Sequence, residues 1–125
     1  MTLPTKSYDY LGVCTQVIDG DTVEVVLDLG FYIAVTIRVR LLNVNAPELF
    51  SGPPAVRAAG ALAKLALQGL LPTGTPVRVV TLKDRRSFNR YIATVYTYDD
   101  AGVGTDINAL MEKAVVAILA SWVAP

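Results

Sequence analysis

The sequence predicts an α+β, mainly β fold: a small five-stranded barrel with flanking α-helices. Three observations carry that expectation. Apolar and polar residues alternate in five separate segments, as strands with one buried face require. The apolar period becomes helical after Pro53 and again after Asp106. The chain has 125 residues, 53% apolar and 18% charged, which suits one domain with a sizeable core and excludes a disordered tail. Residues 1–125 therefore read as a single domain, with the barrel and helices over about 10–114 and an apolar segment at 115–125.

Each element follows from local pattern. Residues 10–18 read as the first strand, with Val13, Thr15 and Val17 on one face. Asp19-Gly20 signals a hairpin, because both residues tolerate positive φ. The second strand, TVEVVLDL, turns Val23, Val25 and Leu27 one way, and Gly30 marks the next turn. The third runs from about 32 to 41 with Ile33, Val35, Ile37 and Val39 on one face, which sets Arg38 and Arg40 together on the other. From Pro53 a helical stripe of Ala55, Ala58, Ala59, Leu62, Leu65, Ala66 and Leu70 faces away from Arg57, Lys64 and Gln68. Pro53 and Pro54 suit its start, and Pro72 with Gly74 its end. Two more strands, PVRVVTL and RYIATVYTY, are joined by a basic loop at 83–89. Thr105 or Asp106 caps a last helix whose stripe is Ile107, Leu110, Met111 and Ala114; beyond it the β-branched run fits helix or strand equally. A three-strand meander, a helix, two strands and a helix describe an OB-like barrel, whose closure removes the edges that so many Val and Ile would expose.

Composition narrows the chemistry. Eleven basic and eleven acidic residues cancel, so any polyanion site must be local. Arg78, Lys83, Arg85, Arg86 and Arg90 do cluster, as a solvated rim or as such a site. The chain has no histidine, which excludes histidine zinc sites, histidine bases and serine–histidine triads. The one cysteine, Cys14, lies in a valine-rich strand and reads as a buried, inert thiol. The N-terminal segment has no long apolar region, and the C-terminal AVVAILASWVA is too short to span a bilayer. A cytoplasmic setting without membrane contact is expected, in the host cytoplasm if the source is a phage.

Phosphodiester hydrolysis needs charge neutralisation at phosphorus, an activated water and help for the leaving oxygen. Here carboxylates, arginines and a hard cation must supply them. Asp19 and Asp21 flank Gly20 in a tight turn that either presents oxygens to Ca²⁺ or Mg²⁺ or is simply a good hairpin. Arg40 ends its strand beside the loop NVNAPE, able to grip a phosphate bidentately or to serve as a surface ion-pair partner. Asn45, the Ala46 carbonyl and Glu48 are oxygen donors within four residues, and Pro47 stiffens the chain between them. Glu48 is either a base that orients water or a charge at a loop exit. Phe88, two residues before Arg90, either stacks on a base or packs the barrel rim.

The ensemble resembles the staphylococcal nuclease family, through VIDGDTVEV and VRLLNVNAPE, and more weakly through SFNRYIATVY and DINALMEKA, over residues 10–114. The resemblance implies a calcium-dependent nuclease that cleaves DNA and RNA with little sequence preference. By position it makes Asp21, Asn45 and the Ala46 carbonyl the metal ligands, with Asp19 behind them. It gives Arg40 the scissile phosphate, Glu48 the water, Arg90 the transition state and leaving group, and Phe88 a stacking contact. Members carry Asp-Thr where this chain has Asn45-Ala46, and Gly where it has Asn89 and Ala114. One lost negative charge predicts weaker calcium binding, with magnesium as the alternative ion. The family's third helix would begin where this chain ends, so that element is expected to be absent or replaced. A non-catalytic barrel that binds single-stranded nucleic acid or a protein is the competing expectation. A subunit of a larger assembly, associating through the C-terminal apolar segment, is the third.

Overall fold

The computed structural model describes residues 8–87 and 90–121, with no side-chain description within 83–90. Five strands form the barrel: β1 (Asp9–Asp19), β2 (Thr22–Asp28), β3 (Ala34–Leu41), β4 (Thr75–Ser87) and β5 (Arg90–Tyr98). A short β6 (Gly104–Asp106) extends the sheet beyond β5. Helix α1 (Pro54–Leu70) joins β3 to β4, and α2 (Ile107–Ser121) follows β6. Neighbours run antiparallel in the order β3-β2-β1-β4-β5-β6, and a parallel pairing of β3 with β5 closes the barrel. The predicted OB-like, mainly β architecture is therefore the one observed. Among the described residues no helix is long and apolar enough to cross a membrane.

Alternation builds the core. Val23, Val25 and Leu27 of β2 and Val39 and Leu41 of β3 point inward, against Val77, Val79, Ala93 and Val95. Leu67 of α1 and Ile107 and Met111 of α2 cover the ends. Each fully buried aliphatic contributes about 1.5–3 kcal/mol, so the barrel interior is the main source of stability.

The first strand departs from its predicted facing. Cys14 pairs with Val25 and Gln16 with Glu24, so Thr15 is an extra residue, a β-bulge. The bulge flips the alternation, which buries both Cys14 and Val17 and leaves Val13 exposed. Burial pushes the Cys14 thiol up, in keeping with an inert side chain. The third strand starts at Ala34 rather than near 32, because Phe31 and Tyr32 take positive φ in the preceding turn. Strand β4 runs on to Ser87, so most of the expected basic loop at 83–89 is strand backbone. Asp106, not Thr105, caps α2 by accepting from the Ala109 N–H at 3.0 Å. The apolar run beyond Ala114 continues as helix, with Val115 buried.

Helix α1 packs on a face only partly shared with the predicted stripe: Ala59 is buried and Ala66 and Leu70 pack against the core as expected, but the centre of the face is rotated. Ala59, Gly60, Ala63 and Leu67 are buried, while Leu62 and Leu65 are exposed. Closeness won over bulk: a Cβ on Gly60 would lie 2.5 Å from the Glu48 carbonyl oxygen, and one on Gly20 would lie 2.6 Å from the Ala63 Cβ. Only small residues let the helix backbone approach the β1–β2 turn and the loop after β3 this tightly.

Candidate functional site

Three chain segments meet at one end of the barrel. The β1–β2 turn brings Asp19 and Asp21, the end of β3 brings Arg40, and the loop after it brings Asn45, Ala46, Pro47, Glu48 and Leu49. Together they line a polar pocket of about 300 Å³. Six predicted site residues, Asp19, Asp21, Arg40, Asn45, Ala46 and Glu48, share its wall although up to 29 positions separate them (48 − 19).

Local structure explains each position. Asp19 pairs with Thr22 across a two-residue connection, and its Oδ1 accepts from the Asp21 N–H at 3.0 Å. The turn pair is therefore Gly20-Asp21 rather than the predicted Asp19-Gly20, and none of the three residues takes positive φ. Gly20 instead clears space for Ala63 and Ala46, whose Cβ atoms would lie 2.6 and 2.7 Å from an added Cβ. Asp21 is pulled inward as its backbone carbonyl accepts from the Leu41 N–H at 2.8 Å.

The Asp21 carboxylate is nearly enclosed and well partnered. Thr22 Oγ1 donates to its Oδ1 at 3.1 Å, and the Ala46 N–H donates to its Oδ2 at 3.2 Å. Arg40 Nη2 lies 3.7 Å from the same Oδ2. Burial pushes the Asp21 carboxyl up to about 6, reinforced by a hydrogen bond to Asp19 and by its charge; the Ala46 N–H and Arg40 oppose the shift. Arg40 also donates to Asn45 Oδ1 at 2.6 Å and to the Val44 carbonyl at 3.4 Å. Its guanidinium thus spans the turn and the loop.

The donor set consists of oxygens only: carboxylates of Asp19, Asp21 and Glu48, the Asn45 amide and the Ala46 carbonyl. Such donors suit Ca²⁺ or Mg²⁺ rather than zinc or copper. A cation would offset the burial, and the neighbouring Asp19 charge, that raise the Asp21 carboxyl. Among the described residues, however, no three His, Cys, Asp or Glu side chains are grouped closely enough to hold a metal. Two acidic groups with neutral oxygens fit a weakly held hard cation.

Arg90 opens β5, its Cα paired with that of Arg38 and so on the strand beside Arg40; its side chain is not described. Phe88 lies outside the described residues. Arg78, counted in the basic cluster, is committed elsewhere. It forms a bidentate pair with Asp9, 2.6 Å at the shortest, donates to the Tyr98 hydroxyl and stacks over Tyr96. Arg40 and Asn45 also line another pocket of about 240 Å³, together with Leu42, Asn43 and Ile92.

Two contributors escaped sequence reasoning. Thr22 looks like an ordinary β-branched strand residue, and only its hydroxyl bond to Asp21 reveals a role. Asn108 is buried in α2, accepts from the Val95 N–H at 2.9 Å and donates to the Leu42 and Ala93 carbonyls at 3.1 and 3.0 Å. It ties the start of the site loop to β5 and α2. A polar residue amid the apolar INALM run was the available signal. No protein-family model matches this chain, and no curated protein aligns with it closely enough to count as a relative.

Proposed function

We propose that this chain is a metal-dependent phosphodiesterase, hydrolysing DNA or RNA with little sequence preference. The observation that carries the reading is the convergence of Asp19, Asp21, Arg40 and Glu48, distant in sequence, on one polar pocket. A purely structural barrel has no need to collect three acids and an arginine around a concave wall. Asp21, Asn45 and the Ala46 carbonyl would hold Ca²⁺, with Mg²⁺ as the alternative and Asp19 behind them. When bound, the ion supplies positive charge against the phosphate oxygens. Arg40 exchanges its bonds to Asn45 and Val44 for two phosphate oxygens, a bidentate grip that its planar fork allows. Glu48, exposed on the pocket wall, takes the proton from the attacking water. Arg90 and Phe88 keep the roles the family resemblance implies, on the transition state and on a base.

A second reading is favoured by one observation: among the described residues no three carboxylates, those of this pocket included, lie close enough together to hold a metal ion. On that reading the barrel binds single-stranded nucleic acid or a protein without cutting. The same experiment separates the two. Denatured DNA is incubated with the protein in calcium and in chelator, then again with Glu48→Gln. Calcium-dependent degradation reduced about 10²–10⁴-fold in the variant supports the enzyme. Shifted but intact DNA supports the binding module.

A further inference from the structure

The turn between β2 and β3 has no explanation in the fold. Gly30, Phe31 and Tyr32 all take positive φ, at +81°, +54° and +60°, and the Ile33 N–H donates back to the Gly30 carbonyl at 2.8 Å. Positive φ at both central positions is the geometry for which Asn-Gly is preferred, and bulky aromatics there are outliers. Nor do these aromatics serve the core. Phe31 is 94% exposed and Tyr32 109%, with Leu29 and Ile33 beside them also exposed. Two large apolar side chains held in strained backbone and presented wholly to solvent point to a role outside the fold.

Strand β3 links this tip to the pocket. Its outward row is Ala34, Thr36, Arg38 and Arg40, since Val39 and Leu41 are buried. Alternate residues of a strand are about 6.6 Å apart, close to the separation of successive phosphates in an extended single strand. Arg38 is exposed and forms no ion pair with a carboxylate among the described residues. The acids on the neighbouring strand are partly engaged: Glu24 accepts from Thr15 at 3.0 Å, and Asp28 accepts from the Gly30 N–H at 2.8 Å. From Arg40 to Ala34 is about 20 Å, or roughly three phosphate steps.

We propose that the outward face of β3 is a binding track for single-stranded nucleic acid, with Arg38 on the phosphate next to the one at Arg40 and Phe31 and Tyr32 stacking bases at its far end. The proposal deepens the nuclease reading and rests on it for the phosphate at Arg40. Charge selects the occupant: arginines two residues apart match a polyanion, whereas an apolar partner would cover Arg38, which has no carboxylate ion pair among the described residues.

The test uses thymidine oligomers, a dinucleotide and a decanucleotide, bound in chelator so that no cutting occurs and followed by fluorescence anisotropy. Phe31→Asn/Tyr32→Gly installs the preferred turn pair, so the variant keeps its hairpin and its unfolding midpoint rises. Its affinity for the decanucleotide falls about tenfold or more, as expected for lost stacking, while dinucleotide binding is unchanged. Arg38→Ala lowers the salt dependence of decanucleotide binding by about 0.7 in the log–log slope. Equal decanucleotide affinity in the wild type and the turn variant overturns the proposal. So does a fall in sedimenting mass for that variant, which would make the tip a contact between copies of this chain. Cleavage without tip-dependent binding leaves the nuclease reading intact and removes the track. Tip-dependent binding without cleavage under any cation leaves the stacking end intact and removes the nuclease.

Discussion

Asp21 shows how a single side chain couples the fold to the chemistry. Its carboxylate is buried beside Asp19, and its pKa is raised from 3.8 to about 6. A raised value in the folded state means that the native protein binds the proton more tightly than the unfolded chain. The associated stability is fully present below about 3.8 and is lost as the pH rises through about 6. In chelator, wild-type unfolding free energy therefore falls by roughly 1–3 kcal/mol more between pH 5 and pH 7.5 than that of Asp21→Asn. Denaturant titrations at the two pH values measure the difference, and parallel curves for the two proteins would remove the burial argument. The sequence made Asp21 conspicuous because a carboxylate in a turn is visible in one dimension. It could not show that Thr22 and the Ala46 N–H complete its surroundings, since those bonds depend on how a distant loop folds back.

Among the elements, α1 is where sequence and structure part most instructively. The apolar stripe that periodicity predicts includes Ala59, which is buried, but also Leu62 and Leu65, which face solvent, and it omits Gly60 and Ala63, which face the barrel. Hydrophobic periodicity reports which face is greasy, not how near two backbones must come. The nearness bears on the pocket, because the Gly60 backbone sits against the Glu48 carbonyl. Gly60→Ala places a Cβ 2.5 Å from that oxygen, and backbone must move. We expect a loss of about 1–3 kcal/mol by denaturant unfolding, and a displaced Glu48. Gly69→Ala in the same helix meets nothing within 4 Å and should gain about 0.5–1 kcal/mol, the ordinary helix preference for alanine. Equal effects at the two glycines would contradict the packing account. The bulge at Thr15 is a second case of the same kind. Alternation along the first strand was legible, but an inserted residue that reverses its phase was not.

At the scale of the whole molecule, closure makes the site. The strands were legible because each carries its own alternation, and their order gave the barrel. The parallel β3–β5 pair that seals it links residues 52 positions apart (90 − 38), and no local pattern announces it. Closure sets Arg40 beside β5 and brings the β1–β2 turn to the loop that carries Asn45 and Glu48. Only in this arrangement do Asp21 and Asn45 flank Arg40, with its Nη2 3.7 Å from one and 2.6 Å from the other. The most direct measurement is the rate at which denatured DNA is cut as calcium is raised, in wild type and in Asn45→Asp. Restoring a negative charge beside Asp21 should let the variant reach half its maximal rate at several-fold lower calcium. Absence of cleavage at every calcium concentration, or identical calcium dependence in the two proteins, would contradict a metal-assisted site in this pocket.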